Sequence, residues 1–597
     1  MKSPWVKARK LGIPSRYGLA LAGLLMLIAT AFRFMMSVTL HMWYAYTQVA
    51  DDALLMSYSF DDYFSSTDYY KLAKNQAYGY FLRFVSWSGI NIDIVYFLVW
   101  LIAAILMSIA MYRLFSTLWI SMASYIYILW NPIAFESWQG TRVYRNSLLT
   151  PVLFILVALL VVFLTFTIPR TLSTAPAHAS AASSAYNRQH VLHLPQLLRF
   201  SLLGIIIGLL FTFIYDLKED SVWLVPMFVF VLGVKSFMVA RTSLPTSKKV
   251  GIVLLCILPA FVSFLGLQTL KFCNYRNFGA YQLNTRCSGE IAGFVYRIYK
   301  IDSPHQNPII WAPADSIEKA ESVSPTLRSE PSIIQYVETR DFAFPNIRQN
   351  PLKGDFVTWQ MLPAIADTKM GMKDEKPAQL FFAQVNREID EAFNDGRLKK
   401  TDKISIAPSL VPRTPAQITE MLKPSWNMFL NSFILMTNYT VTYHRNTPTY
   451  KADTVADPEG LEQLNIDPMN PNPTVIRGFS FSDAQNVARN SVRVYRIINV
   501  LLALILICSF AAAVRGSIRG DSRKLALCGL SLCLIAYGFV YSFFVYWFVQ
   551  YVGNDYVQFF YTTGPITPLL CTGLLLGLGM LFSNKKTTRN GMQQTVT

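Results

Sequence analysis

Charged residues suited to group-transfer chemistry stand beside long apolar stretches at four places in the chain. They are Asp51 and Asp52 after the first apolar stretch, Lys74 in KLAKNQ, Arg142 and Arg145 in GTRVYRN, and Lys218, Glu219 and Asp220 in YDLKEDS. A carboxylate pair can supply a general base, since mutual repulsion and partial desolvation raise the pKa of one member toward the working range. The same pair can hold a divalent metal ion such as Mg²⁺ or Mn²⁺. Arginine offers a planar fork that fits phosphate oxygens.

Each of these motifs also has a plainer structural explanation. Asp51 and Asp52 can be the solvated start of a loop, and Lys74 can reach along the membrane surface to water. The two arginines can bind lipid headgroups, and the triplet at 218–220 can be the polar turn of a helical hairpin. Charges at a membrane boundary are less costly than charges at its centre. Their convergence on one face is therefore more informative than their presence.

Apolar stretches dominate the rest of the 597-residue chain, of which 53% is hydrophobic and only 15% charged. Soluble domains carry roughly 25% charged residues. Stretches of about 20 apolar residues, the length that crosses a bilayer core, recur along the chain. The predicted spans are 17–40, 92–113, 115–134, 147–168, 198–215, 221–240, 250–271, 496–514, 525–548 and 560–582. The sequence thus predicts an all-α polytopic membrane protein of about ten transmembrane helices.

Lysine and arginine residues set the expected orientation. Basic residues occupy the N-terminal head, the loop around 170–188, the turn at 241–249, the loop at 515–524 and the tail at 585–589. All these segments fall on one side of the predicted bundle, and basic loops favour the cytoplasm. Both termini are therefore expected in the cytoplasm. The same asymmetry accounts for much of the net charge of +17, and without a basic-aromatic recognition module we expect no nucleic acid partner.

The spans divide the chain into three predicted units. Residues 1–271 form an N-terminal module of seven spans, with an external loop at 41–91 that holds interfacial helices and a flexible, Ala/Ser-rich cytoplasmic loop at 169–197. Residues 272–495 are long enough for an extracytoplasmic domain, predicted to be of mixed secondary structure. Residues 496–597 form a C-terminal module of three spans and a cytoplasmic tail.

Two stretches of the inserted segment predict helices. Apolar residues recur every four positions between 381 and 393, which indicates a helix with one buried apolar stripe. Gly396 can end this helix. The stretch WNMFLNSFILM at 426–436 is apolar but too short to span a membrane. It predicts either a buried helix or a helix that lies on the membrane surface.

On this topology the four charged motifs share the extracytoplasmic face. Acids from two loops and bases from two others would then meet there. Carboxylates can activate an acceptor hydroxyl while cations stabilise a leaving phosphate. Transfer of a sugar from a lipid phosphate needs both kinds of group. The sequence has no Walker or GxGxxG loop that would indicate nucleotide chemistry.

The chain has seven cysteines and no C-x-x-C pair. Five lie inside apolar stretches and are expected to be packing residues. Cys273 and Cys287 lie in the inserted segment, where an extracytoplasmic location permits a disulfide between them. Two free thiols are the equal alternative.

Several of these segments resemble one family. The chain resembles bacterial polytopic membrane proteins that are related in layout to the C-type (GT-C) glycosyltransferases, which use lipid-phosphate sugars. The resemblance runs from the first span to about residue 400. It is carried by ADDALL (50–55), KLAKNQAYGYFL (71–82), NPIAFESWQGTRVYRN (131–146), LKEDSVWLVP (217–226), NYRNFGAY (274–281) and FFAQVNREIDEAFNDGRL (381–398).

The resemblance implies a GT-C-like fold and a role for each motif. In GT-C enzymes an acidic residue of the first external loop is the catalytic base or lies beside it. By position that role falls on Asp52, with Asp51 assisting or binding a metal. The candidate partners of the donor phosphate are Lys74, Arg142, Arg145 and Lys218, and the candidates for orienting the acceptor or a cation are Glu219 and Asp220.

The expected activity is transfer of a sugar, with inversion, from a polyprenyl-phosphate donor to a cell-envelope glycan or lipid acceptor on the outer face of a bacterial plasma membrane. One alternative is a polymerase or ligase that transfers a whole saccharide. Another is a non-catalytic transporter or flippase of lipid-linked saccharides, which should show polar residues within spans and two related halves. A third alternative is a non-catalytic binding scaffold, which would tolerate neutralisation of Asp51, Asp52, Glu219 and Asp220 together.

Overall fold

The computed structural model describes residues 16–44, 52, 54–59, 72–166, 183–242, 244–339, 342–344, 347–349, 352–370, 374–442, 478–518, 522–553 and 555–582. Within these ranges the chain is overwhelmingly helical. The helices are α1 Arg16–Leu40, α2 Leu54–Ser57, α3 Ala77–Ser88, α4 Ile92–Phe115, α5 Leu118–Leu129, α6 Arg145–Thr165, α7 Ser183–Leu217, α8 Leu224–Ala240, α9 Thr246–Phe278, α10 Gly289–Ile298, α11 Ala314–Val323, α12 Pro325–Arg328, α13 Pro331–Thr339, α14 Phe356–Ala366, α15 Lys376–Asn394, α16 Pro415–Glu420, α17 Leu422–Leu430, α18 Phe481–Ile518, α19 Ser522–Val549 and α20 Asp555–Phe582. One antiparallel hairpin joins β1 Phe342–Phe344 to β2 Ile347–Gln349.

Ten helices of the described residues are long and apolar enough to cross a membrane. They are Ala20–Leu40, Ile92–Phe115, Leu118–Phe135, Arg145–Thr165, Leu194–Leu217, Ser221–Ala240, Thr246–Phe278, Phe481–Gly516, Lys524–Val552 and Val557–Phe582. They coincide with the ten predicted spans, although α18 starts well before the predicted boundary at 496. The prediction of a multi-pass helical membrane protein is confirmed.

Helices α6 and α20 form the interior of the bundle. Their apolar windows are 78% and 89% buried, whereas that of α9 is only 22% buried. Small residues let neighbouring backbones approach α20 closely; a Cβ built on Gly577 would lie 3.0 Å from the Leu506 side chain of α18. Arg145, at the N-terminal end of α6, is correspondingly only 5% exposed.

The inserted segment between α9 and α18 contains helices and a single small hairpin in its described part. Its regular secondary structure is therefore helical apart from that hairpin, rather than mixed as predicted. Helices α10 and α15 pack through Phe294 and Phe382, whose ring centroids lie 5.2 Å apart. The predicted stripe on α15 is buried in its middle, at Val385 and Ile389, whereas Phe381 and Phe393 at its two ends are half-buried. The helix ends at Asn394, just before Gly396 with its positive φ of 82°.

The last part of the inserted segment returns to the transmembrane bundle. On α17, Phe429 packs against Phe539 of α19, and Asn499 of α18 donates a hydrogen bond to the carbonyl of Phe433 at 3.3 Å. The stretch 426–436 thus packs into the bundle through Phe429 and Phe433, as the buried-helix alternative predicts, while Trp426 at its start is 48% exposed. The predicted unit 272–495 does not stand apart as a whole, because its apolar C-terminal part packs with α18, α19 and α20.

Two loop predictions have a different outcome. The predicted flexible loop at 169–197 lies partly outside the described residues, and from Ser183 onward it forms the first turns of α7. An Ala/Ser-rich stretch can extend a helix that an apolar span nucleates. The loop 41–91 does contain helices α2 and α3 in its described part. Helix α3 buries Tyr78 and Leu82 and leaves Phe84 and Trp87 exposed, as expected for an interfacial helix.

Candidate functional site

The loop between α5 and α6 carries Arg142 and Arg145, and its course is fixed by a buried glutamate. Glu136 is fully buried. Its carboxylate accepts hydrogen bonds from the backbone N–H groups of Trp138 and Gln139 at 2.8 and 2.6 Å. It also accepts one from the Thr440 hydroxyl at 2.8 Å. The tight turn that results aims the following residues back across the end of the bundle.

A short backbone pairing joins this loop to the segment that follows α1. The Trp43 N–H donates to the carbonyl of Thr141, and the Val143 N–H donates to the carbonyl of Trp43, both at 2.8 Å. The indole N–H of Trp43 donates to the Ser137 carbonyl at 2.7 Å. The segment that leads toward the acidic pair therefore lies beside Arg142.

Asp52 and Arg142 form a buried ion pair. The Arg142 Nε donates to Asp52 Oδ1 at 2.8 Å, and Nη2 donates to Oδ2. Asp52 is 1% exposed and Arg142 is 4% exposed. Asp52 is thus not a solvated loop residue. Asp51, its predicted assistant, lies outside the described residues.

The ring of Tyr144 is surrounded by three of the predicted phosphate-binding cations. The guanidinium of Arg142 lies 4.4 Å from its centroid and that of Arg145 lies 5.5 Å away, while Lys74 Nζ lies at 5.4 Å. Cations are attracted to the faces of aromatic rings. The Tyr144 ring therefore offsets part of the repulsion between these three positive charges. Lys74 is fully buried.

Glu219 links these cations to the turn between α7 and α8. Arg145 Nη1 donates to Glu219 Oε1 at 2.6 Å and to Oε2 at 2.5 Å. Burial alone would raise the pKa of Glu219, but the charges of Arg145, Arg286 and Lys74 lower it to about 2. Glu219 is therefore a carboxylate throughout the physiological pH range.

Lys218 and Asp220 form the other contact of this turn. Lys218 Nζ lies 3.1 Å from Asp220 Oδ2, without the alignment of a hydrogen bond, and 5.2 Å from the Tyr561 ring. Tyr541 of α19 donates its hydroxyl to Asp220 Oδ2 at 2.9 Å. The Asp220 side chain is 42% exposed, so this acid is the open edge of the cluster.

The structure brings together the described members of the predicted site. Asp52 contacts Arg142, Arg142 and Arg145 flank the Tyr144 ring, and Arg145 holds Glu219. The loop between α1 and α4 and the turn at 218–220 therefore meet at one end of the bundle. We use the name boundary cluster for this group of side chains, which are Asp52, Lys74, Arg142, Tyr144, Arg145, Lys218, Glu219 and Asp220.

Two further charged residues of the boundary cluster come from the inserted segment and were not predicted. Arg286 Nη1 donates to Asp355 Oδ2 at 2.8 Å, and its Nη2 lies 3.7 Å from Glu219 Oε1. The Arg286 guanidinium lies 4.5 Å from the Trp359 ring. The only sequence signal was the closeness of Arg286 to the end of span α9, which places it near the membrane boundary.

The loop that carries Arg286 is tied to the loop that carries Lys74. The Thr285 N–H donates to the Leu72 carbonyl at 2.7 Å, and the Asn284 side chain donates to Asn75 Oδ1 at 2.6 Å. The buried Glu375 carboxylate accepts from the Thr285 hydroxyl at 2.6 Å. These bonds fix where the inserted segment contacts the bundle.

Replacing Glu375 by glutamine should remove a pH dependence of stability. Burial raises the pKa of Glu375 to about 7, so the folded protein binds a proton that the unfolded chain releases above about pH 4.5. The contribution of Glu375 is then greatest at low pH and is lost as the pH rises through 7. Thermal unfolding of both proteins from pH 5 to 8 should show the wild type losing up to about 3 kcal/mol relative to Glu375→Gln. Parallel curves would contradict this assignment.

Cys273 and Cys287 are free thiols, which is the second of the two predicted alternatives. Cys273 is exposed on the last part of α9, whereas Cys287 is half-buried beside Arg286. Burial raises the pKa of the Cys287 thiol to about 11. A thiol in this protonated state is a poor nucleophile.

The metal site predicted at Asp51 and Asp52 gains no further ligands from the described part of the chain. No three histidine, cysteine or acidic side chains converge there on a common point. A small cavity of about 20 Å³ lies behind the Arg142 loop and is lined by Arg33, His41, Asp93, Tyr96, Gly140 and Thr141 among others. None of the residues of the boundary cluster lines this cavity. The candidate catalytic and phosphate-binding groups are therefore those of the cluster and not those of the cavity.

Comparisons of the chain with protein-family models, with curated proteins and with solved structures gave no significant match. The function has therefore to be inferred from the boundary cluster.

Proposed function

We propose that the protein is an integral-membrane glycosyltransferase with a GT-C-like fold. It transfers a sugar from a polyprenyl-phosphate donor to a cell-envelope glycan or lipid acceptor on the outer face of a bacterial plasma membrane, with both termini in the cytoplasm. One observation carries the proposal, namely that cations and carboxylates from the loop 41–91, the α5–α6 loop, the turn at 218–220 and the inserted segment lie together at one end of the bundle, largely buried except for Asp220 at the exposed edge. The cations are Lys74, Arg142, Arg145, Lys218 and Arg286, and the carboxylates are Asp52, Glu219, Asp220 and Asp355.

Burying so many charges is costly, which supports a functional reason for them. Desolvation of each ion costs several kcal/mol, and pairing often does no more than offset that cost. Apolar packing of similar volume is often at least as stable as buried ion pairs, so stability alone is a weak reason for this cluster. Guanidinium groups at the level of the lipid headgroups suit a phosphate that is anchored to the membrane by its prenyl chain.

The proposed reaction forms one bond and breaks one. The oxygen of an acceptor hydroxyl attacks the anomeric carbon, and the bond from that carbon to the phosphate oxygen breaks with its electron pair on phosphate. Asp52 takes the hydroxyl proton, and the cations neutralise the leaving phosphate. For this step Arg142 moves an N–H group from Asp52 to the phosphate, which frees a carboxylate oxygen. Asp220, at the exposed edge, orients the acceptor.

Asp52→Asn tests this assignment because it keeps the shape of the side chain and removes the base. We expect sugar transfer to fall by a factor of about 10² to 10⁴ in proteoliposomes made with native lipid extract and assayed for acceptor glycosylation. Asp390→Asn is the matched control, since Asp390 pairs with Arg297 on the inserted segment with half of its side chain exposed. Unchanged transfer by folded Asp52→Asn protein would refute the assignment.

The transporter alternative predicts charged groups along a path through the bundle. Arg33 and Lys235 lie inside spans, but they donate to backbone carbonyls at helix ends. Arg33 Nε bonds the Leu129 carbonyl at 3.1 Å, and Lys235 Nζ bonds that of Phe166 at 2.7 Å. These contacts stabilise helix ends, so they give no support to a transport path.

A further inference from the structure

Glu219 lies between two arginines that come from different parts of the chain. Arg145, at the start of α6, holds both carboxylate oxygens through one nitrogen at 2.5 and 2.6 Å. Arg286, from the inserted segment, faces Oε1 from a distance of 3.7 Å. The Glu219 side chain is 7% exposed. An anion in this position thus joins the bundle to the inserted segment.

Arg286 is held in place by contacts that do not involve Glu219. Asp355 accepts from its Nη1 at 2.8 Å, and the Trp359 ring stacks on the guanidinium at 4.5 Å. Asp355 is in turn fixed by the Tyr551 hydroxyl, which donates to its other oxygen at 2.7 Å. The Nη2 edge of Arg286 would therefore stay in position if Glu219 moved away.

The chemistry of the position suits a larger anion than a carboxylate. A phosphate group carries three oxygens and more charge, and guanidinium groups bind it through parallel hydrogen bonds. At 3.7 Å the contact of Arg286 with Glu219 is an ion pair without a hydrogen bond. A third phosphate oxygen would fill that gap, while Arg145 keeps its present geometry. Lys74 adds attraction for an anion at this point, as its effect on the pKa of Glu219 shows.

We infer that Glu219 occupies the place of a phosphate group in the ligand-free protein, and that Arg145 and Arg286 together bind that phosphate once Glu219 is displaced. The inference deepens the proposed function, on which it rests, by naming a phosphate-binding residue in the inserted segment. It gives Glu219 the role of an internal competitor rather than of an acceptor-binding group. In the empty site Glu219 compensates the charges of the two arginines and keeps them in position.

The test measures binding of decaprenyl phosphate to the purified full chain in detergent, by isothermal titration calorimetry. Glu219→Gln removes the competing charge and keeps the shape, so we expect it to bind the lipid at least about tenfold more tightly than wild type. Arg286→Gln should bind at least about tenfold more weakly. Arg297→Gln, whose arginine pairs with Asp390 in the same segment, is the matched control and should bind like wild type.

The sign of the Glu219 effect decides the inference. Unchanged or weaker binding by Glu219→Gln would overturn the inference. Neutralising a group that competes with the lipid phosphate must raise the affinity for the lipid, whereas neutralising a group that helps to bind the lipid would lower it. If Arg286→Gln does not fold, Arg286→Lys keeps the charge but loses the fork, and it should still bind more weakly than wild type. Binding by Arg286→Lys equal to wild type would also overturn the inference.

Two further arms separate the possible sources of the phosphate and the two proposals. Inorganic phosphate is titrated in parallel, and a tightening by Glu219→Gln for both ligands would show that the headgroup alone is recognised. A tightening for the lipid only would show that the prenyl chain is needed to bring the phosphate to the site. Sugar transfer is assayed separately. If binding follows the expected pattern while the wild type transfers no sugar, the phosphate site stands and the glycosyltransferase proposal fails.

Discussion

Asp52→Ala is expected to lower the free energy of unfolding by about 3–5 kcal/mol, the usual cost of leaving one member of a buried ion pair without its partner. Arg142 would keep its charge in a position where it is 4% exposed. It would lose two charge-assisted hydrogen bonds, from Nε and Nη2, that now end on Asp52. Thermal unfolding of the purified protein in detergent, followed by circular dichroism, measures the change.

The double variant Asp52→Ala/Arg142→Met separates stability from function. Methionine can pack on the Trp138 and Tyr144 rings that now contact the guanidinium, through its polarisable sulfur. Replacement of a whole buried pair by apolar groups is often neutral, so most of the lost stability should return. The proposed sugar transfer should not return with it, because the double variant still lacks the base. A double variant as unstable as Asp52→Ala alone would show that the pair stabilises the fold beyond charge compensation.

This ion pair also shows what a sequence can and cannot predict about such a site. Span length and the alternation of helices through a membrane bring every second loop to the same face. That rule alone predicted that Asp52, Arg142, Arg145 and Glu219 would be near one another. It could not predict which acid pairs with which base, because pairing depends on side-chain reach and on the backbone contact of Trp43 with the Arg142 loop.

The contribution of the inserted segment could not be predicted for a different reason. Arg286 and Asp355 are separated by 69 positions, and neither stands in a periodic pattern or a spacing typical of a site. Long-range contacts between a polar segment and a bundle leave no local signature in one sequence. The apolar stretch at 426–436 did have a signature, but composition alone could not separate a buried helix from a surface helix.

Gly140→Ala is expected to destabilise the protein by about 3 kcal/mol or more and to reduce sugar transfer by at least about 10²-fold. A Cβ on Gly140 would lie 2.2 Å from the carbonyl oxygen of Ile133 and 2.5 Å from the carbonyl carbon of Ala134. Both are backbone atoms of the preceding turn, so no rotamer change can relieve the contact. The chain has to move, and Arg142 lies only two residues further along it. Unfolding is measured as for Asp52→Ala, and transfer is measured as for Asp52→Asn.

Gly233→Ala is the matched control for this prediction. Gly233 lies in α8, and a Cβ there would meet nothing within 4 Å. Alanine should therefore leave transfer unchanged and add up to about 1 kcal/mol of stability, because it restricts the unfolded chain and favours the helix. The contrast isolates steric displacement of the Arg142 loop from the general effect of an added methyl group. If Gly140→Ala keeps wild-type transfer, the reaction does not need the present position of Arg142, and the phosphate-binding role of that residue is wrong.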